Sequence, residues 1–487
     1  MNAMLLIPPS RYSNNVARDL LWGCWCKGKR IAAAEFPNVT ILQMSTMMKE
    51  KGHEVTIVDS TAEKYTFDDV ERIVEEKQPE AIFVPSATMS FKEDASTLKD
   101  LKELVKGKCY GISYGAHATF LREKALEEPG VDITLLHEHE FSALEVLDAL
   151  QDGKELDNIK GIGFKRNGAA VMTERREWTS LDELPIADRT PIWDYIYFNP
   201  QVKRVPWTTM LTSKGCPARC NFCTTPSFYG NTWRGMSPKR VVDEMEYLAN
   251  RGYKEIFFRD ETWTGNFRRT DEICNMIIEC GLEKRLTWIC SSRVNTLKNE
   301  EQVRLMKRAG CHMLRFGVES GDNQILKNIN KSATVEQCER TFEWCRKAGI
   351  ETHAHTMLGS VGETWETVHK TIAFLKKIQP TTVTCGAYTP YPGTPIFEEV
   401  RQKDASIGDG TSAALSLHNK GYYSHHFSKL SEEEVGKAVR LLYKEFYLRP
   451  RYMMKTLLRM RSLSEFRRAA SAGMQVLSYV SHGEGEE

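Results

Sequence analysis

The sequence lacks an apolar run long enough to span a membrane. A membrane-spanning helix needs about 20 consecutive apolar residues, and none of the 487 residues begins such a run. The apolar start at residues 4–7 ends at Pro8-Pro9, so the apolar core of a signal peptide is missing too. We therefore expect a cytoplasmic chain without a transmembrane segment.

An excess of charge of either sign is also missing. The 66 Lys and Arg residues and 65 Asp and Glu residues leave a formal net charge of +1. Because a protein that binds nucleic acid needs a basic surface to neutralise phosphates, no nucleic acid partner is expected. With 41% hydrophobic residues the composition is that of a globular protein, and the length predicts two or three domains.

Residues 1–155 alternate short apolar strands with amphipathic helices. Strands are predicted at residues 4–7, 55–59, 81–85, 109–113 and 133–136, and the helices between them include one at 119–127. This alternation predicts an α/β fold with a doubly wound parallel sheet, whose ligands bind at the carboxyl ends of the strands. No Gly-x-Gly-x-x-Gly motif follows the first strand, so a dinucleotide is not indicated.

Three cysteines in a short loop carry the strongest chemical signal. Cys216, Cys220 and Cys223 have the spacing Cys-x3-Cys-x2-Cys directly after a predicted strand, and no further Cys or His follows until Cys274. Tetrahedral zinc would need a fourth ligand nearby, whereas three thiolates can hold a cubane iron–sulfur cluster with one iron open to a substrate. Structural zinc and chance spacing remain the alternatives.

This loop, with Phe222 just before the third cysteine, resembles the radical S-adenosylmethionine (SAM) signature. The resemblance implies that Cys216, Cys220 and Cys223 are the catalytic ligands of a [4Fe-4S] cluster whose open iron chelates SAM. It implies that Phe222 lies beside the SAM adenine. It also implies a low-potential electron donor, either flavodoxin or ferredoxin, and an anaerobic host.

Residues 207–400 contain six strand–helix units. Their predicted strands are residues 207–212, 255–259, 286–290, 313–317, 352–357 and 382–387. Six units predict a partial (β/α)6 barrel, with the chemistry at the carboxyl ends of its strands. The candidate residues there are Asp260 and Glu261 for the SAM ammonium, Ser291 and Arg293 for its carboxylate and ribose, Glu319 for its ribose hydroxyls, and Leu358 in a segment that resembles the adenine-side motif of the family. For each polar one, an ordinary helix cap or solvated loop is the alternative.

The loops of the first domain resemble those of a cobalamin-binding domain. By this resemblance, the cobalamin-binding residues are Ser86, Thr88, Tyr114, Gly115, His117 and Glu138. Small residues there let the backbone approach a large flat macrocycle. Thr61 stands where some cobalamin domains have a histidine below the cobalt, so no histidine ligand is expected. The alternative is a doubly wound domain that only docks substrate.

The remaining segments carry weaker signals. Residues 156–206 are predicted as a linker that begins with a hairpin at Asn167-Gly168, and residues 401–487 as a helical region. Ten Lys and Arg residues lie between 437 and 468, which favours a solvated helix face but also suits an anionic substrate, a lipid surface or an acidic partner. Cys24 and Cys26 suggest a second metal site, but we expect free thiols packed among aromatic side chains.

The combination resembles the cobalamin-dependent radical SAM family. The resemblance implies a C-methyltransferase that methylates an unactivated carbon through a 5′-deoxyadenosyl radical and methylcobalamin. Its substrate, whether a peptidyl residue, a lipid, a tetrapyrrole or a small molecule, stays open. An anaerobic ring cyclase or another lipid- or tetrapyrrole-modifying enzyme is the alternative. A methylthiotransferase is disfavoured because it needs three more suitably spaced cysteines, and a non-catalytic corrinoid carrier because it needs no SAM-binding rim.

Overall fold

A seven-stranded sheet forms the first part of the computed structural model, which describes residues 1–12, 18, 34–414, 418–460 and 463–482. Its strands are β1 (Asn2–Ile7), β2 (Glu54–Asp59), β3 (Ala81–Pro85), β4 (Tyr110–Tyr114), β5 (Ile133–Leu135), β6 (Ile162–Arg166) and β7 (Ala169–Met172). Their order is β2-β1-β3-β4-β5-β6-β7, and the first five run parallel. The predicted doubly wound sheet is therefore confirmed. Cys24 and Cys26 lie outside the described residues.

Helices cover both faces of this sheet. They are α1 (Val39–Glu50), α2 (Ser60–Glu63), α3 (Phe67–Lys77), α4 (Phe91–Glu103), α5 (Ala116–Leu121) and α6 (Glu140–Asp152). Successive side chains of β1 enter different cores, with Leu5 on one face and Leu6 on the other. The single helix predicted at 119–127 is wrong: Arg122, with a φ of 53°, separates α5 from a 3-10 turn at Arg122–Glu127.

The hairpin predicted at Asn167-Gly168 forms and becomes part of the sheet. Asn167 and Gly168 have φ values of 50° and 81°, the left-handed conformations that a two-residue hairpin turn requires. Its strand β6 pairs antiparallel with β5, for example through Thr134 and Gly163. The hairpin thus extends the parallel sheet with an antiparallel edge instead of lying outside it.

A second sheet of six parallel strands curls into a half-barrel. Its strands are β8 (Trp207–Met210), β11 (Glu255–Phe258), β12 (Thr287–Ser292), β13 (Cys311–Glu319), β14 (Glu351–Leu358) and β15 (Thr382–Ala387), and they are neighbours in chain order. Between the first two, β9 (Ser213–Gly215) and β10 (Trp233–Gly235) form a separate antiparallel pair. The predicted partial barrel is confirmed.

Eight described helices follow the strands of this region, and most of them cover the outside of the half-barrel. They are α7 (Thr225–Tyr229), α8 (Pro238–Asn250), α9 (Phe267–Glu279), α10 (Glu300–Arg308), α11 (Asn323–Asn328), α12 (Val335–Ala348), α13 (Trp365–Ile378) and α14 (Pro395–Lys403). Thr334 and Thr364 start α12 and α13 with capping boxes, in which the side chain accepts a hydrogen bond from a backbone N–H of the first turn. Leu314, Phe316 and Val318 of β13 pack against this helical layer. Met313 points to the other side, into the barrel.

The C-terminal region is helical, as predicted. Its helices are α15 (Glu432–Tyr447), α16 (Pro450–Arg459) and α17 (Leu463–His482). The buried face of α15 closes one edge of the half-barrel, where the Tyr443 hydroxyl bonds the backbone of Cys385. Among the residues that the structure describes, no helix is long and apolar enough to cross a membrane.

Candidate active site

The cysteine loop lies at the carboxyl ends of the barrel strands. Cys216 and Cys220 are buried and Cys223 is half-buried. Asn221, between them, fixes the loop: its backbone N–H donates to Ile329 O at 3.2 Å and its side chain to Asn328 O at 3.1 Å. The loop is therefore held by the barrel and not by its own residues alone.

Two donors point at the thiols. Thr262 Oγ1 donates to Cys216 Sγ at 3.4 Å, and Arg293 Nη1 donates to Cys220 Sγ at 3.6 Å. Burial raises the pKa of the Cys223 thiol to about 11. A hydroxyl and a guanidinium directed at sulfur stabilise thiolate, the form that binds metal.

The spacing of the three sulfur atoms fits a cluster better than a single ion. Among the described residues, only Asp404, His425 and His426 place three candidate ligand atoms within 4.8 Å of one another. At least two of the three cysteine sulfurs are therefore more than 4.8 Å apart. Zinc–sulfur bonds of about 2.3 Å require sulfurs closer than this. A four-iron cube separates its ligands more widely, so the chemistry of the trio suits a [4Fe-4S] cluster.

Asp260 and Glu261 follow β11 but have different surroundings. The Asp260 carboxylate accepts hydrogen bonds from Thr212 N at 2.8 Å, Thr212 Oγ1 at 2.7 Å and Ser213 Oγ. Glu261 Oε2 accepts one from Gly215 N at 3.0 Å, beside the first cysteine. Burial and then the neighbouring Asp260 raise the pKa of Glu261 to about 8. The carboxyl group of Glu261 is therefore available to bind a cation, whereas that of Asp260 holds the start of the cysteine loop.

The other predicted SAM residues lie around the same rim. Arg293 also donates to Lys331 O, and Lys331 Nζ pairs with Glu319 Oε1 at 2.6 Å. Beside the cysteine loop is a cavity of about 300 Å³ lined by Arg293. Ser291 lies on β12 next to Arg315 of β13. The Leu358 side chain is buried in the helix-side core, so any contact it made with adenine would be through its backbone.

Sequence reasoning missed Thr262 and Lys331. Thr262 follows Glu261 directly, so its position after a barrel strand could have identified it as a residue of the site. Lys331 lies after α11, away from the end of any strand, and only its position in space connects it to Glu319.

A pair of histidines inside the barrel was also missed. The rings of His353 and His355 lie 4.3 Å apart on β14, and both hydrogen-bond the Thr384 hydroxyl, at 3.1 and 2.8 Å. Burial lowers the pKa of both far below the usual range, and the nearby cation Arg315 lowers it further. They are neutral hydrogen-bonding groups at neutral pH. The alternation His-x-His in a strand was the signal that could have found them.

The loops after β3 and β4 pack tightly against each other. Ser86 N donates to Tyr114 O at 2.8 Å, and the hydroxyls of Ser113 and Ser86 are 3.0 Å apart. Gly115 has a φ of 119°, and a Cβ there would lie 2.8 Å from Ser86 O. Glycine is thus already required by the packing of these two loops, whatever binds above them.

His117 is the residue of these loops that fits a bound group. Its side chain is buried, and neither ring nitrogen has a hydrogen-bond partner among the described residues. Burial lowers its pKa to about 4. An unpaired buried polar group carries a desolvation cost that a ligand rich in amides, such as a corrin, would remove. Thr88 is buried nearby, and its backbone carbonyl accepts from Thr411 Oγ1 at 3.4 Å.

Glu138, predicted to bind cobalamin, has partners within the protein. It forms ion pairs with Arg234 of β10 and with Lys214 of β9, the latter at 3.7 Å. Both cations belong to the strand pair that leads into the cysteine loop. Glu138 thus connects the first sheet to the barrel. Thr61 lies on α2 and has no ring nitrogen that could bind cobalt from below.

The carboxyl edges of the two sheets face each other. Lys214 Nζ lies 2.6 Å from Glu140 Oε1, at the start of α6. The His137 ring bonds Phe228 O at 2.7 Å through Nδ1, and Tyr197 donates to Asp59 at the end of β2. Both sets of strand ends therefore border one region of the molecule.

Comparisons with known proteins agree with this architecture. Residues 210–375 match the Radical SAM superfamily. An uncharacterised methyltransferase of Pyrococcus horikoshii is 32% identical over 438 residues, 88% of this chain and 91% of that protein. An anaerobic magnesium-protoporphyrin IX monomethyl ester cyclase of Cereibacter sphaeroides is 29% identical over 392 residues, 76% of this chain and 61% of that protein.

Among solved structures, the radical S-adenosylmethionine methyltransferase TsrM from Kitasatospora setae, with cobalamin and a [4Fe-4S] cluster bound, has the same fold. The superposition covers 99% of both chains with a TM-score of 0.68 at 16% sequence identity.

Proposed function

The chain belongs to the cobalamin-dependent radical SAM family, and from this premise we propose that it is a C-methyltransferase acting on an unactivated carbon. Its cofactors are a [4Fe-4S] cluster, SAM and cobalamin. When bound, the reduced cluster supplies the electron that cleaves SAM to a radical, and methylcobalamin supplies the methyl group. Like other radical SAM enzymes it needs a reductant, and we propose flavodoxin or ferredoxin.

Each part of the rim has a proposed role. Cys216, Cys220 and Cys223 hold the cluster, with Arg293 directed at one of the thiolates. Glu261 takes the ammonium group of SAM and Glu319 its ribose hydroxyls. Phe222 packs near Tyr388, with ring centroids 5.9 Å apart, and offers a flat face to adenine.

The first sheet is the proposed cobalamin site. Its residues 1–155 present Ser86, Thr88 and His117 at the strand ends, and the unpaired ring of His117 offers hydrogen bonds to the corrin amides. Residues 207–400 provide the cluster and SAM rim, residues 156–206 the hairpin that extends the first sheet and then the linker, and residues 401–487 the helical region.

The observation that carries the methyl-transfer proposal is the contact between the two carboxyl edges. Lys214 stands two residues before Cys216, and its partner Glu140 follows the loop after β5. A methyl group passes only between groups in near contact, so two cofactors at facing edges can serve one substrate carbon.

The test uses SAM with a deuterated methyl group. The reconstituted protein, a strong reductant, the labelled SAM and an anaerobic whole extract of the source cells, with its small molecules, lipids and proteins, are incubated together and examined by mass spectrometry. We expect a product that is heavier than its precursor by one CD₃ in place of one hydrogen. Consumption of SAM with no labelled product in any fraction, including protein and lipid, contradicts C-methylation.

Ring closure is a second candidate, favoured by the 29% identity to the cyclase. A cyclase would consume SAM to 5′-deoxyadenosine without transferring its methyl group. A product that has gained a ring but no CD₃ label therefore supports this candidate over the first.

A further inference from the structure

Two histidines and an aspartate meet in the C-terminal region. Asp404, His425 and His426 each have a ligand atom within 4.8 Å of those of the other two, and no other three His, Cys, Asp or Glu side chains do so among the described residues. Asp404 Oδ2 lies 3.2 Å from His426 Nε2, and the ring centroids of the two histidines are 4.0 Å apart. Three ligand atoms this close can bind one metal ion together.

The Asp404 carboxylate is oriented by the chain that follows it. Asp404 comes directly after α14, and its Oδ1 accepts a hydrogen bond from Ser406 N at 2.9 Å. Its Oδ2 is the oxygen that faces His426. One carboxylate oxygen is thus held by the backbone, and the other is directed at the histidines.

The two histidines belong to a 3-10 turn, Ser424–His426. Tyr423 starts this turn with a φ of 64°, a conformation that is uncommon for a residue other than glycine. Ser424 is buried, and its hydroxyl donates to Leu430 O at 3.2 Å. Contacts that require no ion therefore hold both imidazoles in place.

A second carboxylate contacts His425. His425 Nδ1 lies 3.3 Å from Oε1 of Glu432, in the first turn of α15. The same oxygen accepts a hydrogen bond from Tyr423 N at 2.7 Å. An ion bound through Nε2 of His425 leaves this contact in place, and a carboxylate behind a metal-binding imidazole is common at zinc sites.

The donor set selects the ion. Two imidazoles and a carboxylate suit zinc, whereas magnesium and calcium prefer oxygen ligands alone. With zinc–ligand bonds of about 2.0–2.1 Å, neighbouring ligand atoms of a tetrahedron are about 3.3 Å apart. The 3.2 Å between Asp404 Oδ2 and His426 Nε2 matches this separation. The His425 side chain is 54% exposed, so water can reach the fourth position.

We propose that Asp404, His425 and His426 bind one zinc ion, with water as the fourth ligand. The ion joins the end of α14 to the turn that precedes α15. This zinc site has no cysteine ligand, so it is separate from the three thiols that hold the cluster.

The position of the zinc site gives it a structural role. Phe427 directly follows the histidine turn and packs on Tyr388, with ring centroids 5.2 Å apart. The Tyr388 hydroxyl in turn donates to Asn221 Oδ1, in the cysteine loop, at 2.8 Å. An ion that fixes the turn therefore stabilises a segment that supports the cysteine loop.

The experiment measures zinc bound to the full, cluster-loaded chain by equilibrium dialysis against zinc chloride. We expect the parent to bind one more zinc ion per chain than the triple variant Asp404→Asn, His425→Gln and His426→Gln. Since His425 is exposed, His425→Gln alone should keep the visible absorption of the cluster but weaken zinc binding by more than about tenfold. His369→Gln, at an exposed residue of α13, should bind zinc like the parent.

X-ray absorption at the zinc edge identifies the ligands. We expect nitrogen and oxygen neighbours at about 2.0–2.1 Å, with imidazole among them. Zinc–sulfur bonds of about 2.3 Å would place the ion at the cysteines and overturn the proposal. Equal zinc content in the parent and the triple variant would overturn it too, as would a parent that binds iron(II) or calcium at these residues but not zinc.

Thermal unfolding tests the structural role. Because an ion that binds only the folded chain stabilises it, zinc should raise the melting temperature of the parent and leave that of the triple variant unchanged. A zinc ion that binds through the three residues without raising the melting temperature would contradict this role.

Discussion

Lys214 Nζ and Glu140 Oε1, 2.6 Å apart and both buried, join the strand that leads into the cysteine loop to the first helix turn after β5. The two residues are 74 positions apart in the chain. Burial opposes ionisation, but Lys214 and then His139 keep the pKa of Glu140 low, at about 2. The pair is therefore charged at neutral pH and fixes the two sheets relative to each other.

Removing one partner of this pair should destabilise the protein strongly. We expect Lys214→Met to lower the free energy of unfolding by about 3–5 kcal/mol, because Glu140 is left as an unpaired buried charge. The double variant Lys214→Met with Glu140→Leu should recover most of the loss. Lys239→Met, which breaks an exposed ion pair with Asp243, should cost less than about 1 kcal/mol. Urea unfolding measures all three, and equal losses for Lys214→Met and Lys239→Met contradict the assignment.

Iron binding should depend on the cysteine trio alone. The reconstituted parent should hold about four iron atoms per chain, and replacement of Cys216, Cys220 and Cys223 by Ala should reduce this to near zero. Cys280→Ala is the matched control, because that thiol is exposed on the end of α9. Iron analysis and the visible absorption of the cluster give the result. Iron retained by the triple variant would place the cluster elsewhere.

SAM affinity should rise with pH. The pKa of Glu261, raised to about 8, keeps its carboxyl protonated at pH 7 in the cofactor-free protein. Binding the SAM ammonium expels that proton, so affinity should increase as pH rises towards 8 and then level off, by up to about tenfold per unit. Glu261→Gln should bind SAM more weakly and without this dependence. Equilibrium dialysis between pH 6 and 9 measures it, and a parental profile for the variant would remove Glu261 from the site.

Buried His139 should make the fold sensitive to mild acid. Burial lowers its pKa from 6.5 to about 4, so the unfolded chain binds a proton in that window and the folded chain does not. The stability that neutral His139 contributes is complete above pH 6.5 and is lost as pH falls towards 4. His139→Gln should reduce the slope of unfolding free energy against pH by up to about 1.4 kcal/mol per unit there. An unchanged slope between pH 6.5 and 4 contradicts this.

The elements were predictable where a local pattern determines them. The apolar strands and the spacing of Cys216, Cys220 and Cys223 are local patterns. The predicted strands begin and end within about two residues of those in the structure. Local patterns could not tell Asp260 from Glu261. The two are adjacent at a strand end, and only the position of Thr212 and Ser213 shows which carboxylate is already engaged.

Long-range partners account for what sequence reasoning missed. The position of Glu138 after β5 predicted that it faces a corrin, but its carboxylate forms an ion pair with Arg234 of β10, 96 residues away in the chain. Gly115 appeared free to admit a ligand, whereas Ser86 O already requires it. The break at Arg122 is a backbone conformation that apolar periodicity does not report.

The cobalamin dependence of the two nucleoside products tests the central claim most directly. The reconstituted chain is incubated with SAM, substrate extract and a strong reductant, with and without cobalamin, and 5′-deoxyadenosine and S-adenosylhomocysteine are measured by mass spectrometry. Since the cysteine loop and Glu261 belong to the barrel, we expect 5′-deoxyadenosine in both samples. S-adenosylhomocysteine should form only with cobalamin. Equal S-adenosylhomocysteine without cobalamin would contradict methyl transfer through the first sheet.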